Sequence, residues 1–172
     1  MVWVESCEGC GFVWDDVSDD EVASRIGAGT DMLARLLRNT PDVATTRPTV
    51  GRWSMLEYGA HVRDVLLVLR DRLVVGVVTE NPGVTPMYRD ERVDLGMYRS
   101  EDPPAVATEL EVAATLFVRI LGSLSPEHLD RTCQYGYPGP STRTLRWMAA
   151  QAVHEVEHHC RDIEDNLTLV AD

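Results

Sequence analysis

The residues best equipped for chemistry in this sequence stand within six positions near its C-terminal end, in His154-Glu155-Val156-Glu157-His158-His159. Imidazole and carboxylate are nitrogen and oxygen ligands of divalent transition ions, and two of them four residues apart on a helix share one face, one turn apart. The run holds two such pairs in overlapping registers, His154/His158 and Glu155/His159. Ligand-type residues recur at His61 and in Cys7-Glu8-Gly9-Cys10-Gly11-Phe12, where two thiols are spaced as half of a zinc ribbon and glycines relieve the turn. Three histidines in six residues point to metal binding rather than to a solvated helix face.

The helix that must carry the run separates its two registers. A helix is expected over roughly 142–167, and with each residue advancing about 100°, Met148, Ala152, Val156, Ile163 and Leu167 cluster within roughly 60° of one direction. His159 falls about 40° and Glu155 about 80° to one side of that buried direction, whereas His154 and His158 point roughly opposite. Glu155/His159 is therefore the inward pair. On another expected helix, His61 lies about 80° from the centre of the apolar stripe Tyr58, Val62, Val65, Leu66, Leu69 and Leu73, and so reaches the interior from its polar edge. His61, Glu155 and His159 together would leave a divalent ion with open positions for water or substrate. Zn is the expected metal, and Ni, Fe and Mn are compatible with the same ligand types. The alternative register, His61/His154/His158, is disfavoured by the helix faces. His154-Glu155-x-x-His158 also satisfies the HExxH pattern of zinc peptidases. Here, though, both histidines would sit on the polar face, and no strand-rich domain precedes the helix.

The outward pair is placed to meet an N-terminal segment, so a second, structural zinc site is expected from Cys7, Cys10, His154 and His158. A redox-active dithiol, a metal-free N-terminus, and thiolates shared with the bundle ion are the alternatives for the two cysteines. Cys133 and Cys160 read as free thiols, the first in a polar loop and the second on the buried side of its helix. Trp53, Trp147, Tyr135 and Tyr137 read as packing residues. Arg52, Arg63 and Arg143 could hold a carboxylate or phosphate of a cofactor, with surface ion pairs as the competing use.

The elements that position these residues are marked by caps and breakers. Ser18-Asp19-Asp20-Glu21 opens a first helix carrying Val22, Ile26, Leu33, Leu36 and Leu37, which Asn39-Thr40-Pro41 ends. Ser54 caps the second, which ends near 79–83. A polar, Pro- and Gly-rich segment over 81–100 is longer than most bundle connections and has the character of a functional loop. Asp102-Pro103 starts the third helix and Gly122 ends it, Ser125-Pro126-Glu127 starts a single turn, and residues 135–141 cannot be helical. The run Val74-Val75-Gly76-Val77-Val78 is compatible with a strand, but alternation and hairpin dipeptides are missing. The expected class is all-α, with residues 1–17 as a Cys-x-x-Cys segment packed on a four-helix bundle over 18–172.

Composition restricts the partners. With 28 acidic against 16 basic residues the formal charge is -12, which opposes nucleic acid and anionic lipid. All the basic residues are arginine, as in proteins of GC-rich genomes. No apolar run nears the ~20 residues of a membrane span, and the N-terminus lacks a basic and then apolar leader, so a cytoplasmic protein is expected. Four cysteines in 172 residues fit metal or redox use in a reducing compartment better than a disulfide framework.

Trp53-Ser54-x-x-Glu57-x-x-x-His61-x-x-Asp64, followed much later by Glu155-x-x-x-His159-x-x-Asp162-Ile163, resembles the DinB/YfiT-like metalloprotein superfamily. The resemblance is greatest to the branch of mycothiol-dependent maleylpyruvate isomerase and related thiol S-transferases, and covers about residues 18–167. It implies an up-down-down-up four-helix bundle with a metal-binding His on the second helix and an i, i+4 pair on the last. It also implies a dimer, a mycothiol-type cofactor, and a metal-dependent thiol transferase or isomerase acting on an electrophilic small molecule. A second domain like the one the isomerase carries after its bundle is not expected from this sequence. A non-catalytic, metal-stabilised binding or stress-response module is the alternative reading, and a HExxH zinc hydrolase a further one.

Overall fold

The computed structural model describes residues 5–136 and 139–171. Four long helices dominate it: α1 (Val22–Asn39), α3 (Met55–Val78), α5 (Pro103–Leu121) and α7 (Leu145–Ala171). Short helices lie between them, α2 (Pro41–Ala44), α4 (Arg89–Asp94) and α6 (Pro126–Leu129), and a hairpin of β1 (Thr132–Tyr135) and β2 (Ser141–Thr144) precedes α7. The mostly helical four-helix bundle expected from the sequence is what the chain forms.

The caps explain where the long helices start. Ser54 accepts from the Glu57 amide while the Glu57 carboxylate accepts from the Ser54 amide, a reciprocal capping box. The Asp102 side chain accepts from the Ala105 amide, with Pro103 in the first turn. Thr144 Oγ1 accepts from the Trp147 amide and starts α7.

Contacts along the helices fix their directions. Leu37, late in α1, meets Gly59, early in α3, and Arg38 at the end of α1 pairs with Glu111 in α5. Arg63, early in α3, bridges to Glu109, early in α5, while Gly76, late in α3, meets Leu145 at the start of α7. Thus α3 and α5 run parallel, and both oppose α1 and α7, the up-down-down-up order. Around the bundle α1 packs on α5, α5 on α3, α3 on α7 and α7 on α1. The interior is filled by Ile26, Leu33, Leu66, Leu69, Leu110, Phe117, Met148 and Val156, each buried completely or nearly so.

The valine run 74–78 is the last turn of α3, in keeping with a second helix expected to end near 79–83, and it leaves Val74, Val75 and Val78 exposed. Extended structure occurs instead at Thr132–Tyr135 and Ser141–Thr144, an antiparallel ladder pairing Thr132 with Thr144 and Tyr135 with Ser141. Cys133 accordingly lies fully buried in β1 rather than in a polar loop. Among the described residues, no helix is long and apolar enough to cross a membrane.

Candidate metal centre

His61 projects from the second turn of α3 and Glu155 and His159 from adjacent turns of α7. One donor atom from each lies within 4.8 Å of the others. His61 Nε2 stands 3.3 Å from Glu155 Oε2, and His159 Nε2 stands 3.5 Å from the same oxygen. Two ligands each about 2.0–2.1 Å from a shared ion at the tetrahedral angle stand about 3.3 Å apart. The donor set and its spacing therefore fit a divalent ion with both histidines ligating through Nε2.

Neighbouring groups hold these atoms in place. His159 Nδ1 is 2.8 Å from Asp162 Oδ2, the carboxylate–histidine arrangement that leaves Nε2 free to ligate. Gln151 Nε2 donates to Glu155 Oε1 at 2.6 Å, leaving Oε2 directed at the two histidines. Trp53 packs edge-on against His61, with centroids 5.4 Å apart, and Tyr58 stacks on His159 at 5.1 Å. His61 Nδ1 is buried without a hydrogen-bond partner.

The electrostatics follow from burial among charges. Burial alone would raise the Glu155 carboxyl, but the hydrogen bonds with His159 and His61 outweigh it and hold the group well below the usual carboxylate range. Burial pushes His61 down, against the pull of Glu155. His159 is raised, because the hydrogen bonds to Asp162 and Glu155 overcome its burial.

His61 and Glu155 form one wall of a cavity of about 280 Å³. Val65, Leu69, Val84 and Met87 give it an apolar lining, and Arg72, Tyr135 and Gln151 reach it with polar groups. Its outer wall is the 81–100 segment, in which Tyr88, with a left-handed backbone (φ 54), turns the chain into α4. Asp64 ties that wall down: its carboxylate accepts from Arg63 Nε at 2.9 Å and from the Tyr98 hydroxyl at 3.1 Å, and pairs with Arg92 of α4.

The second cysteine- and histidine-bearing cluster also assembles. Donor atoms of Cys7, Cys10, His154 and His158 all lie within 4.8 Å of one another, on the side of α7 that faces the N-terminal segment. Glu155 thus groups with His61 and His159, while the two HExxH histidines group with the cysteines.

Residues 26–163, most of the chain, match the family model of the DinB superfamily. The chain belongs to the DinB superfamily. Among solved structures, this DinB chain is similar to YfiT from Bacillus subtilis, described as a probable metal-dependent hydrolase with an unusual four-helix bundle topology. The TM-score is 0.81 at 16% identity, over 91% of each chain. It is also similar to the mycothiol-dependent maleylpyruvate isomerase, with a TM-score of 0.68 and 19% identity over 87% of this chain. It spans 62% of the isomerase chain. No curated protein matches the sequence.

The arginines singled out from the DinB chain's sequence are engaged elsewhere. Arg63 is bound to Asp64, Glu101 and Glu109, and Arg52 donates to Asn166 Oδ1 at 2.8 Å and to the Asp162 carbonyl at 3.1 Å. Neither lines the cavity, and Arg143 pairs with Glu5 over the Trp147 ring. The arginines that line the cavity are Arg72 and Arg89, and the Arg72 guanidinium lies over the Tyr135 ring at 5.3 Å. No motif marks Arg72, but it stands eleven residues, three helical turns, after His61 on the same helix. Trp53 and Tyr58 are packing residues whose rings border the two histidines, and Tyr137 lies outside the described residues.

Proposed function

We propose that this DinB-superfamily protein binds one divalent ion, of the zinc class, through His61, Glu155 and His159, and acts with a mycothiol-type small-molecule thiol in a transfer or isomerisation reaction. The observation that carries this reading is that the three-residue donor set meets, through His61 and Glu155, a mostly apolar cavity. A bound ion would supply Lewis acidity, favouring the thiolate form of a thiol ligand at neutral pH.

The chain's own residues have separable tasks. Asp162 fixes the His159 ring so that Nε2 faces Glu155, and Gln151 orients Glu155. Val65, Leu69 and Met87 exclude water from the reacting groups. Arg72, at the cavity wall, offers a cation for a carboxylate on the thiol or its electrophilic partner. Arg52 has a supporting place behind His159 through the Asp162 segment, and Arg63 fixes the cavity's outer wall through Asp64. The mycothiol-dependent isomerase among the similar structures supports the choice of thiol.

A second reading is favoured by the fuller overlap with YfiT, which extends over 91% of both chains. In it the same three ligands serve hydrolysis by water. The HExxH form of hydrolase is not favoured, since Glu155 and the pair His154/His158 belong to different clusters.

Cobalt spectroscopy separates the readings. In Co-loaded protein carrying Cys7→Ser and Cys10→Ser, mycothiol should raise a thiolate-to-cobalt charge-transfer band saturating at about one thiol per chain. Adding His159→Ala should abolish it. An unchanged spectrum would remove the thiol reading, and metal-dependent ester or amide cleavage by the same sample would establish the hydrolase.

A further inference from the structure

Residues 5–16 contribute nothing to the cavity, yet they are folded tightly against α7. The Cys7 amide donates to the Phe12 carbonyl at 2.8 Å and the Gly11 amide to the Cys7 carbonyl at 2.7 Å, while Ser6 bridges to Val13. Gly11 takes the left-handed conformation (φ 71) that this closed turn needs. The turn directs both thiols toward the outward pair of α7: Cys7 Sγ lies 3.7 Å from His158 Nδ1. A side chain at Gly9 would crowd the His158 ring, since a Cβ there would stand 3.2 Å from Cε1.

His154 supplies the independent observation. Its ring is enclosed by Phe12 and Trp14, with centroids 5.1 and 4.8 Å away, and both of its nitrogens are buried without a hydrogen-bond partner. Leaving such a group unsatisfied is costly, unless something is bound there. The free orphan nitrogens belong to the residue that completes a ring of two sulfurs and two nitrogens. Sulfur and nitrogen ligands at about 2.3 and 2.0–2.1 Å from a tetrahedral ion stand about 3.6 Å apart, which matches the Cys7–His158 separation.

We infer that Cys7, Cys10, His154 and His158 form a second, structural cation site, closed by four protein ligands and selective for zinc-class ions over magnesium or calcium. Two thiolates exclude hard cations, and four ligands leave no position for substrate. The site joins the N-terminal turn to α7 beside the first centre. Asp162 Oδ2, which holds His159, also stands 3.7 Å from His158 Nε2. From the other side, Trp14 Nε1 donates to Gln151 Oε1 at 2.8 Å, and Gln151 in turn donates to Glu155. An ion here would therefore brace both α7 ligands of the bundle centre from behind.

X-ray absorption at the zinc edge tests this on the intact wild-type protein, loaded with zinc under a non-chelating reductant. The expected spectrum has a sulfur shell at about 2.3 Å alongside the nitrogen and oxygen shell. A nitrogen and oxygen shell alone would overturn the proposal. Metal content gives a second test: Cys7→Ser with Cys10→Ser should lose about one ion and the sulfur shell, and His61→Ala should keep the shell. A sulfur shell that survives loss of both cysteines also overturns it. Because His61→Ala strips only the bundle centre, failure of this site and failure of the proposed function give different results.

Discussion

Asp162 stands beside one histidine of each cluster, His159 and His158. Its Oδ2 lies 2.8 Å from His159 Nδ1, and the carboxyl is held below its usual range because His159, with His158 and Arg52 adding to it, outweighs its burial. A carboxylate in that position keeps the imidazole in one tautomer and strengthens it as a donor. Asp162→Asn should weaken binding at the bundle centre about 10–100-fold without removing a ligand. Competition with a chromophoric chelator measures this, and an unchanged affinity would deny Asp162 the role. The pairing of Asp162 with His159 is legible in the sequence, because residues three apart on a helix are neighbours. Asp64 is different. It too follows a ligand-type histidine by three residues, but it is satisfied by Arg92 and Tyr98, about thirty residues away across a loop. No local pattern encodes such a partner.

At the scale of elements, α7 is held close to α1 by the absence of a side chain. A Cβ on Gly29 would stand 2.3 Å from Val156 Cγ1, and Val156, between the two proposed ligand pairs of α7, is fully buried. Gly29→Ala should lower stability by about 1–3 kcal/mol through overpacking, more than the ~1 kcal/mol gained from helix propensity. Gly27, two residues earlier, meets nothing within 4 Å, so Gly27→Ala should stabilise by about 0.5–1 kcal/mol. Urea titration of the pair reads both signs, and equal effects would refute the close-approach argument.

The start of α3 carries a pH-dependent element. Burial would raise the Glu57 carboxyl, but Arg47 and the Ser54 amide overcome it and lower the group. A carboxyl lowered in the folded state stabilises the protein fully above its unfolded value, about 4.3, and ceases to do so as pH falls through the folded one. Glu57→Gln should cost about 1–3 kcal/mol at neutral pH and flatten the loss of stability between about pH 5 and 3. Thermal midpoints across that range give the check. An equally steep acid limb in the variant would assign it to other carboxyls.

The long helices were readable from their apolar stripes, helped by caps at Ser54 and Asp102, although α1 begins at Val22 without the side-chain cap expected of Ser18-Asp19-Asp20-Glu21. The same periodicity distinguished the two faces of α7. The hairpin before α7 was not readable. Its strands are four residues each, only Cys133 and Tyr135 of β1 are buried, and no Asn-Gly or Asp-Gly turn joins them. The short α4 was hidden for a related reason, being one and a half turns within a polar segment whose position depends on Asp64.

Seen as a whole molecule, the protein is a bundle in which one helix serves two clusters. The face of α7 toward α3 carries Glu155 and His159, and the face toward the N-terminal segment carries His154 and His158. The bundle supplies rigidity, and the segment over 81–100 supplies the cavity that makes the inner cluster a candidate reaction centre rather than a closed structural one. The inner three residues are proposed to hold an ion, and an anomalous difference map from crystals of metal-loaded protein, recorded at the absorption edge of that metal, would show it. The expected map has a peak bounded by His61 Nε2, Glu155 Oε2 and His159 Nε2, beside the cavity. A loaded crystal with no peak at those three atoms would contradict the proposal.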